Sequence, residues 1–306
     1  MTAKIAFLFP GQGSQYVGMG FSFYQEYELA RSIFAEAEEE SGIPLRKYCF
    51  EGPAEELTRT RIAQPAILTL EYIIYRLLAD AGVEPAWVAG HSLGEYAALV
   101  AAGALSFRDA LKLVEKRATY MAEVAASGGM VAVLNYPLAE LKTIVGELAR
   151  EGVIELANFN SPAQVVVSGE NRLLAKLAAR LQEEKTGKVI PLAVQGAFHS
   201  SLMRPAASRF RTDLERTSFS PLKTPLFSNV TAEPVVSAAE LPSLLEKQVY
   251  SPVRWVTITE NLVAAGCELF LELGGKVLSG LVKKTYAEAN TLSIRDAGDL
   301  KKYLQK

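Results

Sequence analysis

Histidine is almost missing from this chain: its 306 residues contain two, His91 and His199. A zinc site built from several histidines is thereby excluded, and no metal is expected. The two cysteines, Cys49 and Cys267, are too far apart to suggest a zinc cluster and too few for a disulfide framework. A reducing cytoplasm is therefore the default setting. There is no basic excess either. The formal net charge is −2, which argues against a nucleic-acid partner. No apolar run reaches the ~18 residues needed to cross a bilayer, so no membrane contact is expected. Residues 1–10 carry one lysine and a short apolar stretch that leads into Gly11-Gln12-Gly13. That pattern reads as a buried strand entering a loop, not as a signal peptide. Repeats and low-complexity segments are absent as well.

What is present is ordinary for a folded enzyme: 49% apolar and 22% charged residues. The length suits one large domain with an insertion, or two domains. Residues 5–9 form an apolar run that ends at Pro10, the signature of a buried parallel strand. Helical periodicity covers 66–81, 93–102 and 107–125, with a short strand at 87–89. Ser127-Gly128-Gly129 reads as a linker, and the pattern then changes. Strands at 130–134, 154–158, 165–168 and 189–194 alternate with helices at 138–150 and 172–184. The order strand, helix, strand, strand, helix, strand is the ferredoxin-like arrangement. Gln195-Gly196 closes that unit. Alternating elements resume with helices near 200–215, 238–249, 256–265 and 276–287 and strands at 226–230 and 269–273. The expected fold is α/β, with an α/β-hydrolase-like parallel-sheet core at 1–127 and 196–306. A ferredoxin-like α+β subdomain at 128–195 is inserted into it.

Gly90-His91-Ser92-Leu93-Gly94 fits the G-x-S-x-G pattern between a strand and a helix. A serine on so sharp a turn leaves no room for side chains two residues to either side, and glycine supplies none. The helix that follows aims its N–H groups at the serine oxygen, so the Leu93 N–H can donate to an oxyanion. An imidazole acting as base at neutral pH must belong to one of the two histidines. His91, adjacent to Ser92, points away from the reacting side of such an elbow and reads as structural. His199 is the remaining candidate.

Together with Phe9-Pro10-Gly11-Gln12-Gly13-Ser14-Gln15 and Glu95, this elbow resembles the malonyl-CoA:acyl carrier protein transacylase family. That family includes stand-alone fatty-acid enzymes and polyketide synthase acyltransferases. The resemblance continues through Gln64-Pro65-Ala66, Arg117, Asn158-Phe159-Asn160-Ser161-Pro162, Gly196-Ala197-Phe198-His199-Ser200, Ser228-Asn229-Val230 and Gln248, nearly the whole chain.

The resemblance implies that Ser92 is the nucleophile and His199 its base, oriented by a carbonyl from the region of Gln248. The only aspartate between Ser92 and His199 is Asp109, on an expected helix, so no ordinary hydrolase acid is visible. Gln12 would supply the second oxyanion N–H. Arg117 would hold the free carboxylate of malonate, a task suited to a guanidinium fork. Phe198 would occupy the space of an α-methyl group, with Gln64 and Asn160 also on the substrate side. Malonyl-CoA would be the substrate, with no tightly bound cofactor. The partner would be a phosphopantetheinylated acyl carrier protein, met by a monomer. Arg46, Lys47, Arg59, Arg61, Lys276, Lys283 and Lys284 are candidates for docking an acidic carrier. The chain departs from the family at Glu272-Leu273-Gly274-Gly275-Lys276, which is one residue short and lacks a proline. Two other readings stay open: a hydrolase that clears stalled acyl groups, and a docking protein with no activity.

Overall fold

The computed structural model describes residues 4–124, 128–183, 187–194 and 196–305. Strand β1 (Ile5–Phe9) is followed by helices α1 (Phe21–Glu26), α2 (Glu28–Ser41), α3 (Leu45–Glu51), α4 (Ala54–Thr58) and α5 (Thr60–Asp80). Next come β2 (Trp87–Gly90), α6 (Gly94–Ala101) and α7 (Phe107–Val124). The middle of the chain forms β3 (Gly128–Leu134), α8 (Leu138–Leu148), β4 (Ile154–Ser161), β5 (Gln164–Glu170), α9 (Asn171–Glu183) and β6 (Lys188–Pro191). The last third holds α10 (Arg204–Arg216), β7 (Leu226–Phe227), α11 (Leu241–Tyr250) and α12 (Trp255–Ala264). It ends with β8 (Leu269–Leu273), α13 (Val277–Thr285), β9 (Thr291–Ile294) and α14 (Ala297–Leu304).

Five strands form a parallel sheet in the order β7-β2-β1-β8-β9. The unbroken apolar run of β1 follows from its central place, because both faces of a parallel sheet are covered. Phe7 and Phe9 join the core formed with α5 and α7, while Ala6 and Leu8 pack with Trp255, Ile258, Leu281 and Val282. The pairing of Phe9 with Gly90 brings the carboxyl ends of β1 and β2 side by side. The loops that leave them, one carrying Gln12 and the other Ser92, therefore start as neighbours. Crevices at the carboxyl ends of parallel strands are where such sheets bind ligands.

The other four strands form an antiparallel sheet in the order β4-β5-β3-β6, the ferredoxin-like order. Its outer face packs Val131, Val133 and Val167 against Leu141, Ile144 and Leu177 of α8 and α9. Its other face sends Met130, Ala132 and Val166 into the main core. Edge strand β4 is covered: the Phe159 N–H donates to Val253 O at 2.9 Å, and the Val253 N–H to Ala157 O at 2.9 Å.

Several elements differ from the sequence expectation. Gly128 and Gly129 belong to β3 and are not a linker, and Ser127 lies outside the described residues. A Cβ on Gly128 would stand 2.6 Å from Gly169 O and 2.7 Å from Ala197 Cβ, so close crossing, not flexibility, accounts for glycine there. Gln195 also lies outside the described residues. Helix α5 begins at Thr60 and carries Pro65 within it. A proline removes the hydrogen bond to the carbonyl four residues earlier and crowds that carbonyl, which normally favours a helix end, yet α5 continues through Pro65. By length and average composition α5 could cross a bilayer, although charged residues interrupt it; 67% of its apolar window is buried inside the protein, as in a core helix. Helices α1–α4, strand β9 and helix α14 were not expected; all of these except the 14-residue α2 are too short to leave a clear period.

Candidate active site

The strained turn after β2 organises the site. Ser92 has φ 53°, a left-handed conformation that is uncommon outside glycine. A Cβ on Gly90 would lie 2.0 Å from Gly94 C, and one on Gly94 would lie 1.9 Å from Phe9 O. No larger residue fits either position. The Asn229 side chain pins the turn from both sides: Oδ1 accepts from Ser92 N–H at 2.7 Å, and Nδ2 donates to Gly90 O at 2.6 Å. This use of Asn229 coincides with an early end to β7, at Phe227 where the sequence suggested Val230.

His199 lies on the loop before α10 and also has a left-handed backbone, φ 57°. Its Nε2 is 2.8 Å from Ser92 Oγ. Its Nδ1 faces two carbonyls, Gln248 O at 2.8 Å and Ser251 O at 3.2 Å. Two acceptors at Nδ1 hold its proton there and leave the Nε2 lone pair for the serine. Burial, and then the charge of Arg117, push the imidazole pKa down to about 3. The ring is therefore neutral at ordinary pH.

Arg117 comes from α7 and is 1% exposed. Its Nη1 donates to Gln64 Oε1 at 2.9 Å, and its Nη2 to Ser92 Oγ at 2.9 Å and Gln248 Oε1 at 3.0 Å. The guanidinium carbon stands 5.6 Å from the Tyr96 ring centroid, and Nε has no partner among the described residues. An arginine on an amphipathic helix usually faces water. Here the buried Val114 and Ala118 flank the same face, which turns the guanidinium inward.

Gln12 and Leu93 both line the 240 Å³ cavity beside Ser92. A Cβ on Gly11 would lie 2.4 Å from His91 O, so glycine lets the β1 loop approach the elbow. The Gln12 side chain turns away and donates to Thr60 Oγ1 at 3.2 Å. His91 binds Asn160 Oδ1 through Nε2 at 2.8 Å and lies against Trp255, with ring centroids 5.6 Å apart. It makes no bond to Ser92 Oγ, and burial lowers its pKa. Phe198, Gln64 and Asn160 line the same cavity. Gln12, Gln64, Leu93, Arg117, Asn160, Phe198 and His199 thus line one cavity with Ser92, and Gln248 reaches it by its bonds to Arg117 and His199. A larger groove of 820 Å³, lined by Arg59, Arg61 and Glu115, lies outside it and contains neither Ser92 nor His199.

The Gly274-Gly275 loop closes tightly without proline. Gly274 has φ 91°, and a Cβ on Gly275 would lie 2.9 Å from Pro10 Cγ. Glu272 caps the start of α13, its carboxylate accepting from Leu278 N–H at 3.0 Å and Ser279 N–H at 2.7 Å. That anchors Leu278 and Leu281 at the cavity wall. Sequence reasoning gave no role to Asn229, Ser251 or Glu95. Asn229 and Glu95 stand inside motifs already singled out, but motif position alone does not say what a side chain touches.

The acyl transferase domain family matches residues 6–304. A malonyl CoA-acyl carrier protein transacylase of Bacillus subtilis is 44% identical over 299 residues, 96% of this chain and 94% of the relative. One from Escherichia coli strain K12 is 38% identical over 285 residues, 92% of each chain. The crystal structure of a malonyl-CoA:acyl carrier protein transacylase from Xanthomonas oryzae superposes with a TM-score of 0.96 at 37% identity, covering 100% of this chain and 98% of that one. A malonyl-transacylase solved in complex with its type II PKS acyl-carrier protein superposes with a TM-score of 0.95 at 34% identity over 99% of each chain. With the serine, the imidazole and the buried guanidinium meeting at one oxygen, these similarities place the chain among the acyl transferases, in the family of malonyl CoA-acyl carrier protein transacylases.

Proposed function

We propose that this protein moves a malonyl group from malonyl-CoA to the phosphopantetheine thiol of an acyl carrier protein, through an ester on Ser92. The observation that carries this reading is the convergence on Ser92 Oγ of His199 Nε2 at 2.8 Å and Arg117 Nη2 at 2.9 Å. The first contact suits a nucleophile and its base. The second sets a buried fork beside the reacting atom, where a carboxylated acyl group could be held.

Ser92 Oγ attacks the thioester carbon, and its proton passes to His199 Nε2. The N–H groups of Gln12 and Leu93 hold the oxyanion. The carbon–sulfur bond breaks and the CoA sulfur takes the proton from His199. Malonyl-serine remains, its carboxylate clamped by Arg117, with Gln64 and Asn160 along the cavity wall. The carrier thiol then gives its proton to His199 and attacks the ester carbonyl. The carbon–oxygen bond breaks and Ser92 regains a proton. A carbonyl, in place of an aspartate, orients His199, so the imidazole brings no carboxylate of its own beside the malonyl group. Phe198 fills the room that an α-methyl would need, a discrimination of about 1–3 kcal/mol.

In this reading residues 1–127 and 196–306 form the catalytic domain and residues 128–195 the subdomain that covers the cavity. The protein works as a monomer in the cytoplasm, in fatty-acid or polyketide synthesis. Incubation with radiolabelled malonyl-CoA, then with carrier protein, tests it. Label should enter the protein at Ser92 and pass to the carrier. Rapid release of free malonate would identify a hydrolase, and absence of label a docking protein.

A further inference from the structure

Arg117 is buried, yet its hydrogen bonds among the described residues all go to neutral oxygens, those of Gln64, Ser92 and Gln248. A buried cation without a counter-charge is costly. The nearest compensation is one amide away. Gln248 accepts from Arg117 at Oε1 and donates through Nε2 to Glu95 Oε2 at 2.6 Å and to Ser92 O at 2.8 Å. A glutamine amide has one accepting and one donating end. With Glu95 and Ser92 O both drawing the NH₂, the oxygen is left facing Arg117. The backbone carbonyl of the same Gln248 orients His199. The other oxygen of Glu95 accepts from Asn229 N–H at 3.3 Å, next to the side chain that pins the elbow. Glu95 is 2% exposed and stands on the first turn of α6.

We infer that Glu95 is a positioning residue for the carboxylate clamp: through Gln248 it sets the orientation and balances the charge of Arg117, and so sustains preference for an acyl group with a free carboxylate. This rests on the proposed malonyl transfer. Glu95 need not touch the acyl group. If its charge is lost, the Gln248 amide is free to turn its NH₂ toward the guanidinium, which then loses an acceptor and shifts. An uncharged acyl group does not use the clamp and should be less affected.

Burial pushes the Glu95 carboxyl up to about 7, while its bonds from Gln248 and Asn229 and the charge of Arg117 pull it down. The charged and titratable groups that act on it are Arg117 on α7 and Tyr96 beside it on α6; Gln248 on α11 and Asn229 after β7 are neutral.

The test compares kcat/KM for malonyl-CoA and acetyl-CoA in the acylation of Ser92. Glu95→Gln should lower the malonyl-to-acetyl ratio at least tenfold, and in an Arg117→Ala background it should leave the ratio unchanged. Equal losses for both acyl groups would overturn the proposal and make Glu95 only a support for the elbow. If Glu95→Gln does not fold, the unsubstituted protein decides. Its ratio should fall as pH drops from 8.5 to 5.5, whereas a flat ratio overturns the proposal. An unsubstituted protein that never takes label from malonyl-CoA would instead sink the transfer reading itself.

Discussion

Ser92 and His199 stand 2.8 Å apart from Oγ to Nε2, and both hold left-handed backbones, with φ 53° and 57°. Among the described residues only four that are not glycine have positive φ, so finding two of them in one hydrogen bond is a concentration of strain at the site. Such conformations cost of order 1–3 kcal/mol each and persist where the surroundings hold them. Here the Asn229 side chain holds the first and the Val249 carbonyl accepts from His199 N–H at 3.2 Å.

His199→Ala should reduce formation of acyl-Ser92 by roughly 10⁴–10⁶-fold while the protein stays folded. Label uptake and circular dichroism on the same sample check it. A folded variant that still acylates would remove His199 as base. His91→Ala, by contrast, should lower the thermal midpoint through the lost bond to Asn160 and retain far more activity.

Arg117→Ala should cost malonyl transfer much more than acetyl transfer, by at least ~10²-fold in the ratio of kcat/KM values, since charge-assisted bonds to a carboxylate are the strong ones. Steady-state kinetics with both thioesters decide the matter. An equal loss would mean that the guanidinium serves Ser92 alone.

The His199 imidazole should stay neutral from pH 5 to 8, because burial and the Arg117 charge hold its pKa down near 3. Nuclear magnetic resonance titration of the ring measures this directly. Arg117→Ala removes one of the lowering causes and should raise the value. The same shift makes a stability prediction. Above the unfolded value, about 6.5, neither state binds this proton and the residue imposes no penalty. As pH falls from there toward 3 the unfolded chain takes up the proton first, and stability is lost.

Glu71 is fully buried on α5, and neither carboxylate oxygen has a partner among the described residues. Burial and then repulsion from Glu272 raise its pKa well above the usual range. Its stabilising contribution is complete below the unfolded value and is lost as pH rises toward the folded one. Glu71→Gln should therefore raise the thermal midpoint at pH 8 and change it little at pH 4. Calorimetry at the two pH values tests this, and equal shifts would remove the titration as the cause.

Lys283 and Lys284 are exposed at the end of α13, whose Leu278 and Leu281 line the cavity. Reversing both charges should raise KM for an acidic carrier protein severalfold and leave KM for malonyl-CoA unchanged. Arg46 and Arg61 make poorer candidates, because Glu38 and Glu123 already pair with them.

The local order of this protein was legible in its sequence. The apolar run at β1, the glycine-flanked elbow and the strand–helix order of the inserted unit follow from short-range sterics and periodicity, which neighbouring residues determine by themselves. The parallel sheet and the ferredoxin-like arrangement followed from that order. Gly128 and Gly129 were misread because local composition cannot separate a flexible glycine from one that another strand crosses closely. The sequence also determined that only two imidazoles were available as a base. Tertiary structure decided which one reaches Ser92 Oγ, because that contact spans 107 positions of the chain. It also decided that Arg117 faces inward and that Glu95 reaches it through Gln248, 153 positions away from Glu95. A side chain's role here depends on the charge and the lone pair it meets, and those partners come from distant segments that only packing of the sheet and helices brings together.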